Sequence, residues 1–190
     1  MKALEDKIAA EGANLGQGIL KVDSFVNHQV DPVLMMACGK EFAALFADVR
    51  ATKVLTCEIS GIAPALAAGF ALGIPVVYAR KTKPITMPDT VFLTTAPSHT
   101  KKRDVEIMAS PEYLQSGERV LIIDDFLATG QTIMALARIA KAAGAEIVGI
   151  GALIEKTFEG GRASLQVLGV PVYSLARIAD MSDGKIVFIG

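Results

Sequence analysis

Apolar positions along this chain recur at two different spacings, and blocks of the two kinds follow one another in order. DPVLMMACGKEFAALFADV carries apolar residues at helical spacing behind an aspartate N-cap, Asp31, and a proline at the first helical position, Pro32. TKVLTCE reads as a short buried strand, GIAPALAAGFALG as a small-residue helix ended by Gly73, and IPVVYAR as the next strand. The cycle resumes at Glu118 with a strand in RVLIIDD, a helix in TGQTIMALARIAKAAG ended by Gly144, and a strand in AEIVGIGALIE. A short helix in GGRASLQVLG and strands in VPVYSLARI and KIVFIG complete the series. Strands that are apolar throughout and alternate with helices are covered on both faces. The expected fold is therefore α/β, a doubly wound and mostly parallel sheet.

The middle of the chain breaks this rhythm. Residues 84–110 are polar, with Pro84, Pro88 and Pro97 and interspersed threonines, and two strand candidates flank PSHTKKR. This pattern predicts a hairpin with a flexible tip, an excursion of the length that is usually functional or disordered. No repeat, low-complexity tract or linker divides the chain, so residues 1–190 are expected to form one domain. MKALEDKIAAEG alternates charges with Leu4 and Ile8, which predicts an amphipathic helix in place of a signal peptide. No apolar run approaches the roughly 20 residues of a membrane span.

Hydrophobic residues make up 52% of the chain, which places it among core-rich globular proteins. The net charge of -1 and the absence of a basic stripe argue against a nucleic-acid partner. Cys38 and Cys57 lie far apart, and with His28 and His99 they show no zinc-ligand spacing. They read as buried hydrophobes of a reducing, cytoplasmic protein.

The candidate chemistry begins where the apolar run Val120–Ile123 stops at Asp124 and Asp125. Ligands of doubly wound sheets bind outside the carboxyl ends of strands, and these two carboxylates stand at such an end. Side-chain alternation would turn only one of them toward a ligand, unless the strand frays there. Ala128, Thr129, Gly130, Gln131 and Thr132 follow, a loop of small residues whose N–H groups converge at a helix N-terminus and suit a phosphate. The segment lacks both G-x-x-x-x-G-K-[ST] and G-x-G-x-x-G, which excludes the commonest nucleotide loops. A sugar phosphate fits better, with the loop on the phosphate and the aspartates on ribose hydroxyls.

Val120 to Thr132 resembles the phosphoribosyl diphosphate (PRPP) binding motif of the type I phosphoribosyltransferases, a hydrophobic run followed by paired acids and a small-residue loop. The resemblance extends over nearly the whole chain. It implies that Ser60 and Gly61 offer N–H groups to the pyrophosphate, and that Arg80 and Lys81 assist, in some members across a homodimer interface. It also implies that the PSHTKKR loop, with Lys101, Lys102 and Arg103, closes over the site. A hood from about residues 1–36 and the C-terminal segment would select the base. ILKVDSFVNHQVDP resembles the N-terminal signature of xanthine-using members, which implies purine contacts from Leu20, Asn27 and Lys156. Mg²⁺ is expected to arrive with PRPP, since the sequence shows no dedicated metal cage. The alternatives are a relative preferring hypoxanthine, guanine or adenine, or a PRPP-sensing regulator, which would need a DNA-binding module or a basic face.

Overall fold

The computed structural model describes residues 1–98 and 103–189. Its chain begins with helix α1 (Lys2–Glu11), a two-residue hairpin of β1 (Ala13–Asn14) and β2 (Leu20–Lys21), and one π turn over Asp23–Asn27. Then come α2 (Pro32–Leu45), β3 (Lys53–Cys57), α3 (Ile62–Leu72), β4 (Val76–Ala79), β5 (Phe92–Ser98) and β6 (Arg103–Ala109). The second half holds β7 (Arg119–Leu127), α4 (Gln131–Ala142), β8 (Glu146–Lys156), α5 (Gly161–Leu165), β9 (Val172–Asp180) and β10 (Val187–Phe188).

Among the described residues the main sheet has the strand order β10-β9-β8-β7-β3-β4, parallel throughout except for the antiparallel β10. The doubly wound expectation holds, and alternation along the strands explains it. Leu121 and Ile123 of β7 join Val54, Phe42 and Ala68 in the core beneath α2 and α3. Val120 and Ile122 face the other way, into the core beneath α4 with Leu136 and Ile139. Each central strand thus needs apolar residues on both faces, which is why it reads as a continuous run.

Local signals act where expected. The Asp31 carboxylate accepts from the N–H groups of Val33 (3.1 Å) and Leu34 (3.0 Å), capping α2 ahead of Pro32. Gly73 ends α3 at φ +69°, a left-handed conformation that favours glycine. The amphipathic α1 buries Leu4 and Ile8. β5 and β6 form the expected hairpin, and Arg138 of α4 holds it through Thr94 Oγ1 (2.9 Å) and Thr95 O (2.7 Å). Lys101 and Lys102 of the expected closing loop lie outside the described residues.

Three features depart from the sequence pattern. β7 does not stop at the aspartates but runs on to Leu127, pairing Asp124 with Ala152 and Phe126 with Ile154. The β1–β2 hairpin and the π turn carry no periodic signal because each is only a few residues long. The chain ends are also joined. The Met1 ammonium donates to Leu175 O, and Asn14 Nδ2 donates to Met181 O (2.6 Å) and Lys185 O (3.0 Å). No helix among the described residues is long and apolar enough to cross a membrane.

α2 and α3 approach closely because Gly39 has no side chain; a Cβ there would lie 2.4 Å from the Ala67 backbone. Gly39→Ala is expected to cost about 1–3 kcal/mol by overpacking. At roughly 2–4 °C per kcal/mol for a chain of this size, thermal melting will show the loss.

Candidate functional site

The strand order reverses between β3 and β7, because α3 and β4 lead one way from β3 while α4 and β8 lead the other way from β7. The loops leaving these two neighbours diverge and leave a crevice at their carboxyl ends. After β3 the chain passes through a cis Glu58–Ile59 peptide to Gly61, which opens α3. A Cβ on Gly61 would lie 2.3 Å from Thr56 Oγ1 and 2.7 Å from Asp124 Oδ1, so only glycine lets this loop rest on β7. Thr56 Oγ1 is buried and makes no hydrogen bond among the described residues.

Asp124 is buried at 5% exposure, and its Oδ1 accepts from the Asp125 N–H at 3.1 Å. Burial, and then the neighbouring Asp125 charge, raise its carboxyl well above the usual carboxylate range. Asp125 is half-buried beside it, with Oδ1 accepting from the Phe126 N–H at 3.0 Å. The two carboxylates nevertheless face one pocket and adjoin each other, so alternation withholds neither from a ligand there.

The second loop completes the crevice. Ala128, Thr129, Gly130, Gln131 and Thr132 line a pocket of about 150 Å³ together with Asp124, Asp125 and Phe126. Gly130 stands at φ +80° before α4, and no side-chain hydrogen bond among the described residues caps that helix. First-turn N–H groups without intrahelical partners, at the positive end of a 12-residue helix, make an anion site. A larger cavity of about 280 Å³ lies along β4, between Tyr78, Met87, Pro88 and Tyr113. The smaller pocket is the chemical candidate because it alone of the two joins a helix N-terminus to the paired carboxylates.

Several expected residues converge on this crevice. Ser60 and Gly61 lie in the β3–α3 loop that touches Asp124. Arg80 and Lys81 leave β4 beside it, tied back by Glu58; its Oε2 stands 2.6 Å from Arg80 Nε and its Oε1 accepts from the Lys81 N–H at 2.6 Å. Lys156, at the end of β8, donates to Gly18 O (2.6 Å), pairs with Glu159 (3.4 Å) and lies 5.4 Å from the Phe126 ring centroid. That contact brings the N-terminal segment to the strand ends. Leu20 is packed into the core at 6% exposure. Asn27 ends the π turn exposed, and its amide makes no hydrogen bond among the described residues.

Sequence patterns alone do not reveal the supporting residues. Glu58 precedes the Ser60-Gly61 turn as one more polar strand end, and Phe126 reads as an ordinary apolar residue. Gly161 is required by packing, since its N–H donates to Ala128 O (2.9 Å) and a Cβ would lie 2.2 Å from that oxygen. The Gly160-Gly161 doublet is its only sequence sign. Glu155 is buried at 1% exposure between Arg162 and Arg177. Burial pushes its carboxyl up, but the Arg162 hydrogen bonds and nearby positive charges outweigh this and leave it below the usual range.

A doubly wound sheet with an anion loop and paired carboxylates at its switch point defines an α/β protein organised around a phosphorylated ligand. Residues 37–164 match the model of the phosphoribosyl transferase domain. The chain is 51% identical over 189 residues to a xanthine phosphoribosyltransferase of Listeria monocytogenes, spanning 100% of this chain and 98% of that one. It is 53% identical over 188 residues to one of Geobacillus thermodenitrificans, at 99% and 97% coverage. Among solved structures it resembles adenine phosphoribosyltransferase of Giardia lamblia, complexed with 9-deazaadenine, at 25% identity and TM-score 0.76 over 93% of this chain and 98% of that one. The enzyme of Rhodothermus marinus is similar at 27% identity and TM-score 0.76, covering 93% and 99%. The chain belongs to the phosphoribosyltransferase family.

The buried Asp124 carries a measurable consequence. A carboxyl whose folded-state pKa exceeds its unfolded value, about 3.9, lowers stability once it ionises in the fold. The penalty is absent below the unfolded value and complete above the raised one. Asp124→Asn is therefore expected to melt higher than the parent at pH 8, with the difference shrinking as pH falls toward 4. Melting curves across that range test it; a difference independent of pH would remove the buried charge as its cause.

Proposed function

We propose that this protein transfers the 5-phosphoribosyl group of PRPP to xanthine, giving xanthosine 5′-phosphate and pyrophosphate. The observation that carries the reading is the uncapped α4 N-terminus beside Asp124 and Asp125, in a chain about half identical to xanthine phosphoribosyltransferases along its length. The 128–132 loop receives the 5′-phosphate on backbone N–H groups. Asp124 and Asp125 accept from the ribose hydroxyls and lie near the positive charge that develops at C1 as pyrophosphate departs. Ser60 and Gly61 offer N–H groups to the pyrophosphate, and Arg80 and Lys81 offer charge.

Mg²⁺ fits these residues. Asp124 and Asp125 are hard oxygen donors beside the pocket. The two carboxylates would hold the cation, and bound there it would supply positive charge against the leaving pyrophosphate.

Xanthine carries oxo groups at positions 2 and 6, which call for donors. The Lys156 ammonium and the Asn27 amide are such donors, whereas the exocyclic amine of adenine calls for an acceptor. Leu20 lies in the adjoining N-terminal segment and backs the purine. Phe126, half-buried beside Lys156, offers aromatic surface to the base. We place the enzyme in the cytoplasm, in keeping with two buried, unpaired cysteines whose thiols burial pushes up to about 12.

We also propose a homodimer. Ile59, Leu66 and Phe70 are 77%, 61% and 74% exposed along the outer face of α3 and its leading turn, an apolar stripe that water disfavours. A second copy packing there would bring its surface beside the 58–61 loop. Phe70→Glu is expected to convert a sedimenting dimer into monomers; an unchanged sedimentation coefficient would place the interface elsewhere.

Pyrophosphate release with PRPP and Mg²⁺, measured separately with xanthine, guanine, hypoxanthine and adenine, tests the reaction. Release fastest with xanthine is expected. A faster rate with another base would retain phosphoribosyl transfer and overturn the assignment of Asn27 and Lys156. Asn27→Ala should lower kcat/KM for xanthine about tenfold more than for hypoxanthine, on the order of one lost hydrogen bond. An unchanged ratio would remove Asn27 from the base site.

A further inference from the structure

The ion pair of buried Glu155 with the partly exposed Arg162 lies outside the crevice yet touches both of its sides through the backbone. Glu155 directly precedes Lys156 in β8, and its Cα pairs with Leu127, the last residue before the 128–132 loop. Arg162 Nε donates to Glu155 Oε1 at 2.8 Å and Arg162 Nη2 to Glu155 Oε2 at 2.6 Å, a bidentate arrangement. The same guanidinium reaches Val172 O (2.7 Å) and Ser174 Oγ (3.3 Å) on β9. Its backbone belongs to α5, whose Gly161 donates to Ala128 O and whose Ser164 hydroxyl lies between Gly161 O (2.7 Å) and Thr129 O (3.2 Å). The helix is pressed so closely on the loop that a Cβ at Gly161 would lie 2.8 Å from the Gly130 nitrogen.

We infer that Glu155 and Arg162 are positioning residues for phosphoribosyl transfer, a clamp that fixes α5 beneath the phosphate loop and sets that loop relative to Lys156. The inference rests on the assignment of the 128–132 loop to the 5′-phosphate. α5 is a single turn and half, too short to be stable by itself, so its location is decided by what anchors it. The fork of Arg162 is that anchor on one side, and the Gly161 and Ser164 contacts transmit it to Ala128 and Thr129. Arg177 supplies the informative contrast. Its Nε donates to the same Glu155 Oε2 at 3.2 Å, but it stands on β9 and not on α5.

The test compares Arg162→Gln, Arg162→Lys and Arg177→Gln in the full-length protein. PRPP·Mg²⁺ affinity is measured by calorimetry, and kcat and KM for PRPP and xanthine by pyrophosphate release. Arg162→Gln is expected to weaken PRPP binding tenfold or more and to raise KM for PRPP more than it lowers kcat. Arg162→Lys, which keeps the charge without the fork, should fall between it and the parent. Arg177→Gln should leave PRPP affinity within about twofold although it removes a cation from the same carboxylate. Equal weakening by the Arg162 and Arg177 variants would overturn the clamp, since loss of any partner of Glu155 would then suffice. Unchanged affinity in Arg162→Lys, with Arg162→Gln unfolded by circular dichroism, would overturn it as well. A parent protein that binds no PRPP would instead refute the phosphate assignment, an outcome separate from any difference among variants.

Discussion

At the carboxyl end of β7 the Asp124 carboxylate rests against Gly61 of the neighbouring loop, in a space where even a methyl group would collide. This contact exists because two parallel neighbours, β3 and β7, send their helices to opposite faces of the sheet. Their loops part at the strand ends, where Gly61 faces the Thr56 hydroxyl, the Asp124 carboxylate and the Cys57 carbonyl. The location of the two helix N-termini relative to the acids follows from it. A side chain at position 61 would push the first loop away from β7 and disturb the crevice before any ligand arrived.

The fold treats its two buried strand-end carboxylates in opposite ways. Glu155 is surrounded by the guanidinium groups of Arg162 and Arg177 and stays ionised below the usual range. Asp124 has burial without an ion-pair partner among the described residues, and the charge of Asp125 adjoins it. Paired charge of the first kind fixes elements relative to one another, because removing the arginines would leave the Glu155 charge buried without a partner. Unpaired charge of the second kind lowers stability and is characteristic of groups kept ready for a ligand. The first carboxylate thus secures the frame, and the second faces the pocket that the frame encloses.

The amount of this arrangement legible in the sequence depends on how local its cause is. Continuous apolar runs such as Val120–Ile123 announce strands buried on both faces, and Asp31-Pro32 and Gly73 mark helix ends through their own backbone preferences. The 124–132 segment is legible for the same reason: acids, small residues and a helix start are contiguous, and the chemistry needs them contiguous. The end of β7 was less legible, since two adjacent aspartates look like a strand terminus. Pairing with β8 carries the strand on to Leu127, so the acids lie within it and not at its end.

By itself the sequence determined the order of helices and strands, the doubly wound class and the small-residue loop after the acids, because periodicity, capping and turn chemistry act over a few residues. Tertiary structure alone decided which separate segments meet. It brought Gly61 onto Asp124, Glu58 onto Arg80 and Lys81, Gly18 onto Lys156, and Arg162 onto Glu155. Such contacts, most of them between residues distant along the chain, depend on close packing and shared burial, for which no local pattern exists. A glycine that spaces two loops, or a glutamate that will be enclosed by arginines, reads in the sequence like any other glycine or glutamate until the sheet is assembled.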